Sequence, residues 1–151
     1  MELHRLAFLL FLFLVMVLSG FRAAGPSGED VLAQHRWKHR LLLIFSDVNH
    51  PDFAAQVGIL DADPAGPAER DLRTFLLFAE GGRTPAGTPL KPSQVIDLRR
   101  RYRVGAGFTV VLIGKDGTEK LRRASPLPLE ELYDTIDAMP MRQREMKKGR
   151  P

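Results

Sequence analysis

The segment FSDVNHPDF, residues 45–53, sets a side-chain donor at most of its positions: Ser46, Asp47, Asn49, His50 and Asp52. Two carboxylates, a carboxamide and an imidazole in one short stretch are donors for a hard cation, and a carboxylate near an imidazole is also a pair used in general acid–base catalysis. The stretch lacks the turn glycine and the distal bidentate glutamate of a calcium loop. Ser46, His50 and Asp52 make a serine–histidine–aspartate set on paper, but no nucleophile-elbow glycines surround the serine. The same residue types suit a turn entering a helix, where Asp and Asn accept from the free amides of the first turn. A donor cluster and a helix-capping turn are both compatible with these residues.

Other constellations are weaker. His35 and His39 stand four apart, the spacing of paired imidazoles in helical zinc sites. Arg36, Trp37 and Lys38 lie between them, which removes the general-base glutamate and adds cationic charge, so surface histidines around a packed Trp37 are expected. In Glu69-Arg70-Asp71 an arginine flanked by acids at a strand entrance serves local ion pairs or a partner. Arg99, Arg100, Arg101 and Arg103 offer an acidic partner a cluster, or simply form an outward helical face. Gly114-Lys115-Asp116-Gly117 lacks the long glycine-rich lead and the Ser/Thr of a phosphate loop, and a hairpin turn accounts for it. No catalytic residue, metal or cofactor is assigned. The binding candidates are Asp47, Asn49, His50, Asp52 and Arg70. With no cysteine in the chain, neither a mixed disulfide nor a sulfenate can form on it, which excludes thiol–disulfide oxidoreductase chemistry.

The elements that position these residues follow from periodicity. Residues 41–45, LLLIF, are apolar without alternation, as in a strand buried on both faces. After the turn at 46–51, Phe53, Val57 and Leu60 mark a helix starting near Asp52 and stopping before Pro64. Residues 74–78 give a second buried strand, and residues 81–92 a long Gly/Pro/Thr loop. Ser93 is placed to cap a helix with Val95, Leu98 and Tyr102 inward. Residues 108–113, the Asp116-Gly117 turn and residues 118–122 make a hairpin, and Leu129, Leu132, Tyr133 and Ile136 a closing helix. The order β, α, β, α, β, β, α is α/β, a thioredoxin-like single domain: a central sheet with flanking helices and a C-terminal β-hairpin plus helix, its crossovers right-handed. Ligands of open α/β sheets gather beyond the carboxyl ends of strands, which selects residues 46–52.

At 151 residues the chain suits one domain. His4 and Arg5 precede an apolar run at 6–18, and Ser19-Gly20 and small residues at 23–25 follow. This is the layout of a secretory signal, shorter than the roughly 20 residues of a spanning helix unless 19–24 extend it. Residues 1–24 are therefore expected to be a signal peptide or an N-terminal anchor. Either places the rest outside the cytoplasm: periplasmic or secreted from a bacterium, or held on the cytoplasmic membrane facing outward. In residues 142–151 five cations, Arg142, Arg144, Lys147, Lys148 and Arg150, face one anion, Glu145, so this end accounts for the formal charge of +4. Residues 29–141 are expected to be the domain, and 142–151 a solvated basic tail following Pro140. Without interleaved aromatics the tail gives no specific nucleic-acid signal. The expected partner is an unknown protein or envelope component, with membrane contact only through an uncleaved N-terminal segment.

Residues 101–117, RYRVGAGFTVVLIGKDG, resemble the thioredoxin segment in which a helix ends and a Pro-Thr pair opens a strand; here Phe108-Thr109 stands in place of that pair. The Cys-x-x-Cys of thioredoxins would fall within residues 46–53. A closer resemblance is carried by Trp37-Lys38-His39-Arg40-Leu41-Leu42, Glu69-Arg70-Asp71-Leu72, Gly107-Phe108, Leu112-Ile113-Gly114-Lys115-Asp116-Gly117 and Ile136-Asp137-Ala138-Met139-Pro140-Met141-Arg142. Together these look like the family called domain of unknown function 4174, found in short exported bacterial proteins and related to domains of extracellular animal proteins. The resemblance implies a thioredoxin- or peroxiredoxin-like fold and an exported location. It implies no activity.

Overall fold

The structure, a computed structural model, describes residues 26–149. Strand β1, Arg40–Ser46, is buried at all seven positions, which is why its sequence does not alternate. It pairs in parallel with β2, Leu72–Phe78, in the register Arg40 to Leu72 through Ser46 to Phe78. On its other side it pairs antiparallel with β5, Thr109–Ile113. Gly81–Arg83 and Pro89–Leu90 form short strands β3 and β4, and Glu119–Arg123 forms β6, giving the sheet order β4-β3-β2-β1-β5-β6.

Among the described residues, six helices flank this sheet: α1 Gly28–Ala33, α2 Pro51–Asp61, α3 Gly66–Glu69, α4 Pro92–Arg101, α5 Leu129–Asp137 and α6 Pro140–Lys148. Alternate residues of β1 point to opposite faces. Leu41, Leu43 and Phe45 join Phe75, Leu77, Val95, Leu98 and Val111 in one core, while Leu42 and Ile44 join Val110, Leu112, Leu127, Leu132 and Ile136 in the other. Burying one large aliphatic side chain contributes about 2 kcal/mol, so two such cores are what hold a chain without disulfides.

Four expectations change. Residues 81–92 contain the β3–β4 hairpin in place of a plain loop. The second strand–helix–strand connection joins antiparallel strands, because β5 opposes β1 while β2 follows it. Helix α4 starts one residue before Ser93, at Pro92, and Gln94 Oε1 caps it by accepting from Lys91 N at 2.9 Å. Residues 142–148 are not a solvated tail. Pro140 sits in the first turn of α6, where its missing amide is tolerated and its fixed φ suits the helix. The expectations for residues 1–24 and for the last two residues lie outside the described part of the chain. No helix among the described residues is long and apolar enough to cross a membrane.

Candidate functional site

The turn after β1 is built by backbone demand. His50 N donates to Asp47 O at 3.1 Å, and the His50 Nδ1 accepts from Asp52 N at 3.3 Å as the N-cap of α2, with Pro51 next. The expected cap is therefore present, but the imidazole provides it. An Nδ1 that accepts leaves the hydrogen on Nε2, so the free edge of neutral His50 is a donor and not a base. Its ring stacks on Phe108, centroids 5.8 Å apart and 26° from parallel. Asp47 Oδ2 accepts from Gly107 N at 3.2 Å, and Gly107 holds a φ of +85°, which favours glycine. Ser46 is fully buried and donates to Asp47 O, which takes its hydroxyl out of any nucleophilic set. Asp47, Val48 and Asn49 are exposed. Asp52 Oδ2 stands 3.9 Å from His50 Nδ1.

Asp47, Asn49, His50 and Asp52 thus share one turn; Asp47 Oδ2 and His50 Nδ1 are used in shaping it, whereas the side chains of Asn49 and Asp52 make no hydrogen bond among the described residues. Among the described residues, no three His, Asp or Glu side chains converge as a metal site would require. Two further residues, neither among the binding candidates, shape the turn. Arg99 donates to Ser46 O at 3.3 Å and to Gly105 O, with its guanidinium over Phe45. Phe108 floors the turn. Arg99 was legible as the neighbour of inward-facing Leu98, whereas the Phe108 contact depends on the β1–β5 pairing.

Arg70 does not join them. It stands beyond the amino-terminal end of β2, at the opposite end of the sheet. It donates to Asp137 Oδ2 at 2.8 Å and to Gly66 O, and lies 4.0 Å over the Tyr133 ring. Arg142 donates to the other oxygen of Asp137, at 2.9 Å. Burial opposes ionisation of Asp137, but the hydrogen bonds from Arg70 and Arg142 carry its pKa below the usual carboxylate range. Burial, and then the hydrogen bond to Asp63, push the Tyr133 hydroxyl up to about 12.

Beside this cluster Arg40, only 1% exposed, donates to Arg70 O at 2.8 Å and to both oxygens of Glu145. Lys115, also buried, reaches Glu145 Oε1 and Asp71 Oδ2, each at 2.7 Å. Burial raises the Asp71 pKa, and the Lys115 bond and charge more than reverse that. Arg40, Arg70, Asp71, Lys115, Asp137 and Arg142, drawn from four of the family motifs, therefore meet in one partly buried charge network, while Lys38 and Asp116 of the same motifs stay outside it. Its function in the fold is to hold α6.

Trp37, expected to be packed, is 60% exposed. His35 and His39 are the half-buried pair instead, their Nδ1 atoms 3.1 Å apart, with His35 edge-on to Phe75. Burial lowers both pKa values; the neighbouring His39 charge adds to this for His35, and Arg73 for His39. They line a cavity of about 300 Å³ together with Leu32, Leu41, Tyr102 and Ile113.

Among solved structures, the fold is similar to a reduced 2-Cys peroxiredoxin of Plasmodium vivax, with a TM-score of 0.53 and 18% identity over 80% of this chain and 90% of that one. It is also similar to Plasmodium yoelii Prx1a modified at the N-terminus, with a TM-score of 0.52 and 20% identity over 87% and 95% of the two chains. At such identity the likeness shows the thioredoxin-like fold alone. A sequence profile described as a domain of unknown function (DUF4174) matches residues 31–145, which takes in the whole charge network, and the chain belongs to that family.

Proposed function

We propose that this chain is an exported, non-redox thioredoxin-like module that binds a protein or envelope component through the turn after β1. One observation carries the reading. Residues 46–53, the stretch within which a redox domain of this fold would carry its Cys-x-x-Cys, hold no cysteine, and there the His50 imidazole is engaged as a helix cap with Val48 56% exposed beside it. The shape of a recognition surface remains there without a sulfur nucleophile. The alternative, an enzyme using residues 47–52 with or without a metal, has the free carboxylate of Asp52, but no three His, Asp or Glu side chains converge on it among the described residues.

Purified protein should reduce no insulin disulfides and consume no peroxide with dithiothreitol beyond a buffer blank. It should also retain no stoichiometric metal that His50→Ala removes. Turnover that survives repurification, or a metal lost with His50, would favour the enzyme instead. Export rests on the leader pattern at 1–24 and is tested by fractionation: full-length chain in the cytosol would contradict it.

A further inference from the structure

The end of the sheet away from the His50 turn carries a second surface. Trp37, the single tryptophan of the chain, sits at φ +65°, a conformation a bulky side chain rarely adopts. Its amide is held by Lys115 O at 2.6 Å, and its ring meets the Arg36 guanidinium at 5.5 Å while remaining mostly in solvent. A strained backbone that presents an aromatic ring outward is not explained by core packing.

Lys115 also pairs with Glu145, so the network that fixes the Trp37 turn fixes α6 beside it. Within α6, Arg144, Lys147 and Lys148 are all exposed and share one face by their i, i+3, i+4 spacing, whereas Glu145 points inward. Arg36, Lys38 and Arg73 add three more cations near the start of β1 and β2. None of these six forms an ion pair among the described residues. The acids nearby, Asp71, Asp116, Asp137 and Glu145, are all paired.

We propose that this end, Trp37 beside Arg36 and Lys38 and flanked by the basic face of α6, docks on an anionic lipid surface. Cations with one exposed tryptophan suit a headgroup layer, where the amphipathic indole sits at the interface and basic side chains meet lipid charge. Single-stranded nucleic acid would call for several stacking aromatics, and among the described residues Trp37 is the one large exposed aromatic. Each basic residue at such a surface is worth about five-fold in partitioning, so the set is effective mainly as a second attachment beside an apolar one. The surface is separate from the turn after β1 and does not depend on what binds there.

The test uses the full chain and vesicles of phosphatidylcholine alone or with phosphatidylglycerol, a fraction of the lipid carrying bromine as quencher. An apolar leader would attach to either vesicle, so attachment is not the readout; quenching of Trp37 is. The expected result is a blue shift and quenching with the anionic vesicles only, reversed by 0.5 M salt, roughly the level at which screening shortens to a few ångström. The triple variant Arg144→Gln, Lys147→Gln, Lys148→Gln should fold as before and lose on the order of 100-fold in lipid dependence at low salt. Equal signals with both vesicles, or an unchanged triple variant, would overturn the proposal. So would the same response to polyglutamate or duplex DNA at matched charge, which would make the surface a site for an anionic polymer.

Discussion

Glu145 on α6 and Arg40 at the start of β1 are 105 positions apart and meet in a two-pronged ion pair, with Arg40 almost wholly removed from water. Removing one partner of a buried pair leaves the other charge uncompensated, at a cost of about 3 kcal/mol. Glu145→Ala, or truncation before Pro140, should therefore lower the thermal midpoint by roughly 10 °C. Exposed Lys147→Ala is the control, expected to change little; an unchanged midpoint in Glu145→Ala would return α6 to the status of a dispensable end.

Gln56 is fully buried and exchanges two hydrogen bonds with the backbone of Leu127, Leu127 N to Oε1 at 2.7 Å and Nε2 to Leu127 O at 3.3 Å. Gln56→Leu keeps the volume but leaves both Leu127 groups unsatisfied, which should cost about 2 kcal/mol in denaturant unfolding. A neutral or stabilising result would show that the loop before α5 finds water or another partner.

The core strand was legible because burial on both faces imposes a run without polar residues, and β1 allows none between Arg40 and Ser46. The hairpin turn at Asp116-Gly117 was legible because Gly117 needs a positive φ, here +81°. Gln56 was not, since a glutamine on a helix looks the same whether it faces water or Leu127. Glu145 was hidden among cations, because composition averages away the one anion that folds inward. At the candidate site, the sequence pointed to the right turn but not to which atom caps it. For Arg70, the local pair with Glu69 was visible, but Asp137, which lies 67 positions away, was not.

The His35–His39 pair makes stability fall in acid. Both folded-state pKa values lie below the unfolded value near 6.5, so the unfolded chain takes up protons first as pH drops. Their contribution is complete above that pH and is lost as pH falls through the folded values. Denaturant midpoints at pH 7.5 and 5.0 should therefore differ more in the wild type than in His35→Gln/His39→Gln. An equal pH dependence in the two proteins would place the acid sensitivity elsewhere.

Both tyrosines resist ionisation, Tyr102 because burial raises its pKa and Tyr133 at about 12. Phenolate absorbance near 295 nm should therefore develop above the pH of about 10 at which a free tyrosine is half ionised. Asp63→Asn removes the carboxylate that accepts from Tyr133 and should move one of the two transitions down. Two transitions at the free-tyrosine value would contradict the Tyr133–Asp63 geometry.

Recognition of a partner by the turn after β1, without sulfur chemistry, is tested most directly by crosslinking. A photocrosslinking residue placed at Val48, at the tip of that turn, should yield a discrete adduct in intact cells. The same residue at Ile96, which is 50% exposed on α4, should not, and Asn49→Arg in the Val48-labelled chain should abolish the adduct. No adduct from Val48, or the same products from both positions, would contradict the account.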